Sequence, residues 1–404
     1  MNLSFKLIVL FALTLIIYGF SDVMTVYDNG FQNGTEDIHM LERGKMMYDR
    51  PASIFEPDET GRNNIAAYLL LGGLYKIYGY RAFYYYAALL GLHLLVVLFL
   101  ASLARRIFDS LWGAAAAGIF FLVLSIHFQT IGWIENLGRV SMTLCCLWAL
   151  ILFHDSRTRC RPEKLFFVYF LWFAGLNFAE EGFVFPFLLI IYDVLILKIN
   201  LLSKQHFPKL LAYIPFFLTQ GIFFLLQYLL YGPAMRQYIT LETHWPAKIL
   251  GIVWSLINLW VPRREAVSFM TGIPLVRVII PIFVLAPLSY FIVRFHAALF
   301  KRPFFLLFCI LWFAITFFPY IFRPMEISWK EYPQPRYLYW PMMGISFLIG
   351  WFFDAFVKQV KDLHNKTLRR AAYGVLAVTS IYFYGLNLWT YCFMADKLCA
   401  AGCL

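Results

Sequence analysis

The sequence predicts an all-α polytopic membrane protein, one domain over residues 1–404, with about eleven transmembrane helices and a long first external loop. Three observations carry this expectation. The chain is 61% hydrophobic and 20% aromatic, with 14% charged residues, against about 25% charged in an ordinary soluble domain. Apolar runs of about 17 to 25 residues, the length a helix needs to cross about 30 Å of hydrocarbon, recur along the chain. Runs such as "LLVVLFLASLA" and "FFLLFCILWFAITFF" do not alternate, whereas a barrel strand alternates apolar and polar residues over about ten positions.

Taken in order, the apolar runs place spans near 5–20, 82–104, 112–129, 139–155, 164–178, 182–198, 209–231, 273–295, 303–322, 337–357 and 371–391. The first run also has the form of a signal peptide, with Gly19-Phe20-Ser21 as a small-x-small site. An uncleaved span with a cytoplasmic N-terminus suits the charges better. The connections "ARRIFDS", "HDSRTRCRPEK", "KINLLSKQHFPK", "RFHAALFKR" and "KQVKDLHNKTLRR" are strongly basic and fall on one side with Lys6. That side is cytoplasmic by the positive-inside rule. The polar stretch of residues 30–64 therefore lies outside, in an external loop of residues 21–81 that contains interfacial helices. Residues 63–79 are apolar but short, as expected of a helix lying in the outer interface. Residues 247–266 are long enough to span, but a crossing there would put the later basic connections outside, so they read as interfacial or re-entrant. The net charge of +11 is thereby accounted for by topology, and no nucleic-acid partner is expected. The seven cysteines show no CxxC or Cys/His zinc spacing, although Cys399 and Cys403 are close enough to pair.

Four polar groups stand out on the external side. Glu36 and Asp37 are adjacent carboxylates, either solvated loop residues or a general base or metal ligand set where the loop meets the bilayer. His127, Glu135 and Arg139, from "HFQTIGWIENLGR", either end two helices or line a site together with the first loop, to which Arg62 also belongs. Glu180 and Glu181 occupy a tight turn between short spans, as a solvated hairpin tip or as ionisable groups near the membrane plane, which are expensive and usually functional. In "RPMEISWKEYPQPRYLYWPMMG", Arg323, Lys330 and Arg336 suit either lipid headgroups or a dedicated anion site. Arginine grips phosphate through a planar fork, whereas lysine acts as a point charge. The aromatics there (Trp329, Tyr332, Tyr337, Tyr339 and Trp340) read as an interfacial belt.

Four stretches in order resemble the GT-C class of membrane glycosyltransferases, and more narrowly the protein O-mannosyltransferase-like branch with its bacterial relatives of glycosyltransferase family 39 type. "NNIAAYLLLGGLYKIYGYRAFYYYAALLGLHLLVVLFLASLARRIF" resembles the family's interfacial helix and following span. "HFQTIGWIENLGR" is similar to its His-containing corner, "NFAEEGFVFPFLLIIYD" to its turn ending in "LYD", and "PQPRYLYWPMMGISFLI" to its "ERYLYLPSIGFALL" segment. The resemblance covers about residues 1–357. It implies a GT-C type topology and transfer of a sugar from a polyprenyl-phosphate-linked donor to a hydroxyl of a protein, lipid or glycan acceptor on the non-cytoplasmic face, with inversion. It maps the family's loop carboxylate pair onto Glu36 and Asp37, with Asp37 taking the acceptor proton. Arg336, with Arg139 or Lys330, would stabilise the departing phosphate. The chain departs from the pattern in having Glu-Asp for Asp-Asp, Gln129 for the corner glutamate, Glu180-Glu181 for Lys-Glu and "YWPM" for "YLPS", and in lacking TPR repeats.

A divalent cation such as Mg or Mn on Glu36, Asp37 and His39 fits the residue types, although their spacing is not diagnostic. Two other classes share the composition: a transporter or flippase for lipid-linked glycans, and a non-catalytic membrane assembly subunit. Transporters usually concentrate charge near the midplane of broken helices, whereas here it gathers at one face. A compact chain points to a bacterial inner membrane. The ER membrane would apply to a eukaryotic chain, where Asn33-Gly34-Thr35 would be a glycosylation sequon.

Overall fold

The computed structural model describes residues 35–50, 53, 56, 64–124, 127–201, 203, 207–235, 252, 302–321 and 335–361. Every regular element among them is helical. The helices are α1 (Thr35–Asp49), α2 (Ile65–Tyr78), α3 (Ala82–Phe108), α4 (Leu111–Leu122), α5 (Phe128–Gly132), α6 (Leu137–Thr158), α7 (Lys164–Phe178), α8 (Phe185–Ile191), α9 (Phe207–Leu211), α10 (Ile214–Met235), α11 (Pro303–Ile321) and α12 (Met342–Lys361). Short 3-10 turns at Ile134–Asn136, Glu180–Val184 and Pro335–Leu338 precede α6, α8 and α12, and a π turn at Tyr192–Ile196 follows α8.

Among the described residues, five segments are long and apolar enough to cross a membrane: Ala82–Phe108, Ile134–Thr158, Lys209–Leu226, Pro303–Ile321 and Met342–Lys361. The chain has the makeup of an integral membrane protein. Large apolar side chains such as Leu95, Leu98, Leu218, Leu225, Phe304 and Ile310 are exposed along these helices, which water would penalise and lipid would not. Charged residues instead gather toward helix ends. On α3, Tyr86 lies near the start and Arg106 near the end, about 30 Å apart at 1.5 Å per residue, which matches a hydrocarbon core.

Three expected spans take shorter forms. The run near 112–129 stops as a helix at Leu122, with 12 helical residues. The run near 164–178 forms a helix of 15 residues. The run near 182–198 is divided among a 3-10 turn, a seven-residue α-helix and the π turn. At about 1.5 Å per residue, 12 residues cover only about 18 Å. The span near 337–357 begins as a 3-10 turn, and its α-helix starts only at Met342, just after Pro341. The expected spans near 5–20, 273–295 and 371–391 lie outside the described residues, as does the 247–266 segment apart from Ile252.

Local sequence accounts for the way the elements stop and start. Asp109 ends α3 in a left-handed conformation with φ of 50°, and its N–H donates to the Arg105 carbonyl at 2.9 Å. Ser110 then caps α4, accepting a 3.3 Å bond from the Gly113 N–H. In α1 the buried positions Asp37, Leu41, Gly44 and Met47 follow the helical period and form one face. That face meets α2 through glycine: a Cβ on Gly44 would stand 2.7 Å from the Gly72 nitrogen. The helix expected at 63–79 is therefore present as α2, and it carries α1 on its side.

The alanine- and glycine-rich α4 packs along α12 in the same close-backbone manner, since small side chains allow strong van der Waals contact where lipid gives no hydrophobic drive. A Cβ on Gly350 would collide with the Gly113 carbonyl and come within 2.8 Å of the Ala117 Cβ. Gly350→Ala is expected to destabilise the protein by about 1–3 kcal/mol through overpacking. Gly91→Ala, at a helical site with nothing within 4 Å of its Cβ, should be neutral or slightly stabilising. Thermal unfolding of both variants in detergent checks the contrast.

Candidate functional site

The residues singled out in the sequence meet where α1, α3, the 134–136 turn, α6, the 180–184 turn and the 335–338 turn converge. Asp37 is fully buried. Its Oδ2 accepts from the Tyr86 hydroxyl at 2.9 Å and its Oδ1 from the Ile134 N–H at 3.1 Å. Ile134 opens the continuous helical segment Ile134–Thr158. A helix start leaves backbone N–H groups without intrahelical partners and carries partial positive charge. Asp37 thus caps α6 from another helix, in the way that a local Ser or Asp would from the preceding residue.

Two ion pairs follow within the first turns of that segment. Glu135 Oε2 lies 2.7 Å from Arg336 Nη1, with side chains 26% and 13% exposed. Arg139 Nη2 lies 3.1 Å from Glu181 Oε1, with side chains 7% and 4% exposed. Arg139 also donates through Nη1 to Asn136 Oδ1. Tyr337 ties the pairs together, since its ring centroid is 5.6 Å from the Arg139 guanidinium and 5.4 Å from that of Arg336. Tyr320 stacks on Tyr337 at 4.8 Å and lies 5.9 Å from Arg139, while Trp133 lies 4.8 Å from the Arg336 guanidinium. Aromatic faces stabilise cations in this geometry, most strongly when water is excluded. Two cations therefore face the carboxylates of Glu135 and Glu181 inside an aromatic enclosure, and Asp37 is fastened to the turn that carries Glu135.

Most of the sequence candidates fall in or beside this corner. Asp37, Glu135, Arg139, Glu181 and Arg336 are brought together. Glu180, half-buried, precedes Glu181 in the same turn. His127 is fully buried nearby, but its ring packs against Phe121, His93 and Tyr339 at centroid distances of 4.5, 5.3 and 4.9 Å. Glu36 is the second residue of α1, and its side chain lies outside the described residues, as do Arg62, Arg323 and Lys330. His39 is exposed whereas Asp37 is buried, because positions two apart on a helix point in opposing directions. Among the described residues no three His, Cys, Asp or Glu side chains gather as a metal site.

The structure corrects one reading of the aromatics. Tyr337, Tyr339 and Trp340 are buried at 9%, 0% and 0% exposure, so they are packing and site residues and not an interfacial belt. Trp329 and Tyr332 lie outside the described residues. Tyr86, Trp133 and Asn136 lie inside the quoted stretches without standing out in them, and Tyr320 lies outside them, so the four escape sequence reading. Tyr339 accepts or donates a 2.8 Å bond with His93 Nδ1, 246 positions away, and no local signal announces such a pair.

Chemically, the corner offers a carboxylate held by two donors, two guanidiniums with planar forks, and an enclosure that strengthens electrostatic effects. Arg139→Met is expected to cost about 3–5 kcal/mol, because Glu181 would be left buried without its cation. The double variant Arg139→Met with Glu181→Gln should recover a large part of that loss. Tyr86→Phe, which removes one donor to a carboxylate, should cost about 1.5–3 kcal/mol. Chemical or thermal denaturation of the purified variants measures all three.

No protein-family model, curated protein or solved structure matches the chain.

Proposed function

We propose that the protein is an integral-membrane glycosyltransferase of GT-C type, with about eleven spans and its N-terminus in the cytoplasm. It would act at the non-cytoplasmic face, in a bacterial inner membrane or, for a eukaryotic chain, the ER membrane. Its donor would be a polyprenyl-phosphate-linked sugar and its acceptor a hydroxyl of a protein, lipid or glycan. The observation that carries this reading is the convergence of Asp37, Glu135, Arg139, Glu181 and Arg336, drawn from four separated stretches, at one end of the bundle. Three of those stretches, all but that of Asp37, also carry the motif resemblance, and the basic connections of α3 and α6 lie at the other end, where Arg106 and Lys164 pair with Asp155 at 3.3 and 3.0 Å.

In this mechanism the acceptor oxygen attacks the anomeric carbon as the bond from that carbon to the phosphate oxygen breaks. Asp37 takes the acceptor proton, and the leaving phosphate keeps the bonding electron pair. Arg336, with Arg139, would meet the charge that grows on the phosphate. One displacement inverts the anomeric centre. A divalent cation, if used, would add positive charge at the same phosphate.

A second reading is favoured by one specific feature. Both oxygens of Asp37 are already engaged and the side chain is fully buried, which suits a structural latch in a non-catalytic assembly subunit. The two readings part at Asp37→Asn. Membranes containing the wild type, Asp37→Asn or Arg336→Ala are supplied with radiolabelled polyprenyl-phosphate sugars, and label leaving the carrier is followed. The enzyme reading expects transfer by the wild type and a loss of about 10²–10⁴-fold in Asp37→Asn, the scale of a missing general base. Equal transfer by all three, or none across a broad panel of donors, overturns it.

A further inference from the structure

The two arginines of the corner are held very differently. Arg139 is enclosed by Glu181, Asn136, Tyr320 and Tyr337, and its ion pair is almost wholly buried. Stripping a buried guanidinium of its carboxylate leaves an uncompensated charge in an apolar setting, which is strongly unfavourable. Arg336 has aromatic faces at Trp133 and Tyr337 and a carboxylate at Glu135, and the Glu135 side chain remains 26% exposed. The Glu135–Arg336 pair is thus the more open of the two. The indole Nε1 of Trp133, beside that guanidinium, is a buried donor that makes no hydrogen bond among the described residues. An unmet buried donor in a native protein asks for an explanation.

From this asymmetry we infer that Glu135 is an internal stand-in for an anionic ligand. Arg336 exchanges the Glu135 carboxylate for a phosphate group, while the Arg139–Glu181 pair stays closed and keeps the seat in place. The inference rests on the reading of this corner as a phosphate-handling site and adds a gate to it. A guanidinium fork fits a carboxylate and a phosphate with similar geometry, so the two compete for one position. The exchange is an equilibrium set by differential affinity, and removing the competitor's charge must strengthen ligand binding. Glu135, swung away from Arg336, would hydrate easily from its half-exposed position. Arg139 and Glu181 would not change partners.

The test is calorimetric titration of the purified full chain in detergent micelles. The probes are inorganic phosphate and a polyprenyl phosphate in mixed micelles. Glu135→Gln is expected to bind phosphate about tenfold tighter than the wild type, the scale of one charge-assisted contact, and Glu135→Ala to change in the same direction. Arg336→Gln should abolish the gain when combined with Glu135→Gln. Tightening for both probes identifies the phosphate group itself as the ligand. Tightening for the polyprenyl phosphate alone identifies a lipid-borne phosphate. Binding by Glu135→Gln and Glu135→Ala no tighter than the wild type, or no binding of either probe by any folded variant, overturns the gate. The glycosyltransferase reading fails separately, through absence of sugar transfer by the wild type while Glu135→Gln still tightens phosphate binding.

Discussion

The corner depends on one carboxylate meeting the start of one helix. Asp37, fully buried, accepts from the Ile134 N–H and from the Tyr86 hydroxyl. Through those two bonds α1, from the polar stretch before α2, is fastened to α3 and to the 134–136 turn that leads into α6. Ile134, Glu135, Asn136 and Arg139 then all fall in the first turns of one continuous helical segment. Their directions follow from its period, so fixing that helix start fixes the origin of both ion pairs. A capping interaction delivered from almost a hundred residues away acts as an organising contact and not as a local repair.

Around that latch the structure balances charge within a small aromatic volume. Tyr337 lies within 6 Å of two guanidiniums, and each guanidinium has its own carboxylate. Cations this close would repel one another strongly in a medium of low dielectric. The Tyr337 ring and the two carboxylates offset that repulsion. The close glycine contacts serve the same corner from outside. Gly44 and Gly72 bring α1 against α2 at backbone distance, and Gly138 lets α6 approach the Phe178 carbonyl just before the turn that carries Glu181. Rigid backbone packing of this kind holds side chains to the small tolerances that charged sites need.

Hydrophobic composition and run length were enough to reveal an all-helical, membrane-type chain, because a bilayer admits few structures that satisfy the backbone. Candidate residues with charge were also visible as departures from an apolar background, and Asp37, Glu135, Arg139, Glu181 and Arg336 were found that way. Helix length was less legible. The run around 112–129 reads as one span, yet its helix stops at Leu122, since hydropathy records burial and does not distinguish a helix from the apolar turn after it. Tyr337 and Tyr339 resemble ordinary belt aromatics for the same reason: tyrosine suits both an interface and a polar cavity.

By itself, then, the sequence determined the class of solvent this chain was built for and which residues are too polar for it. Local chemistry suffices for that, because each apolar run must meet the bilayer's requirements within its own length. Tertiary structure alone decided which charges became partners. Arg336 pairs with Glu135 across 201 positions and Tyr339 with His93 across 246, and such choices depend on how helices cross and how closely their glycines let them approach. The distinction between a sealed arginine and a half-open one also belongs to packing, since both have the same side chain and differ only in what surrounds it.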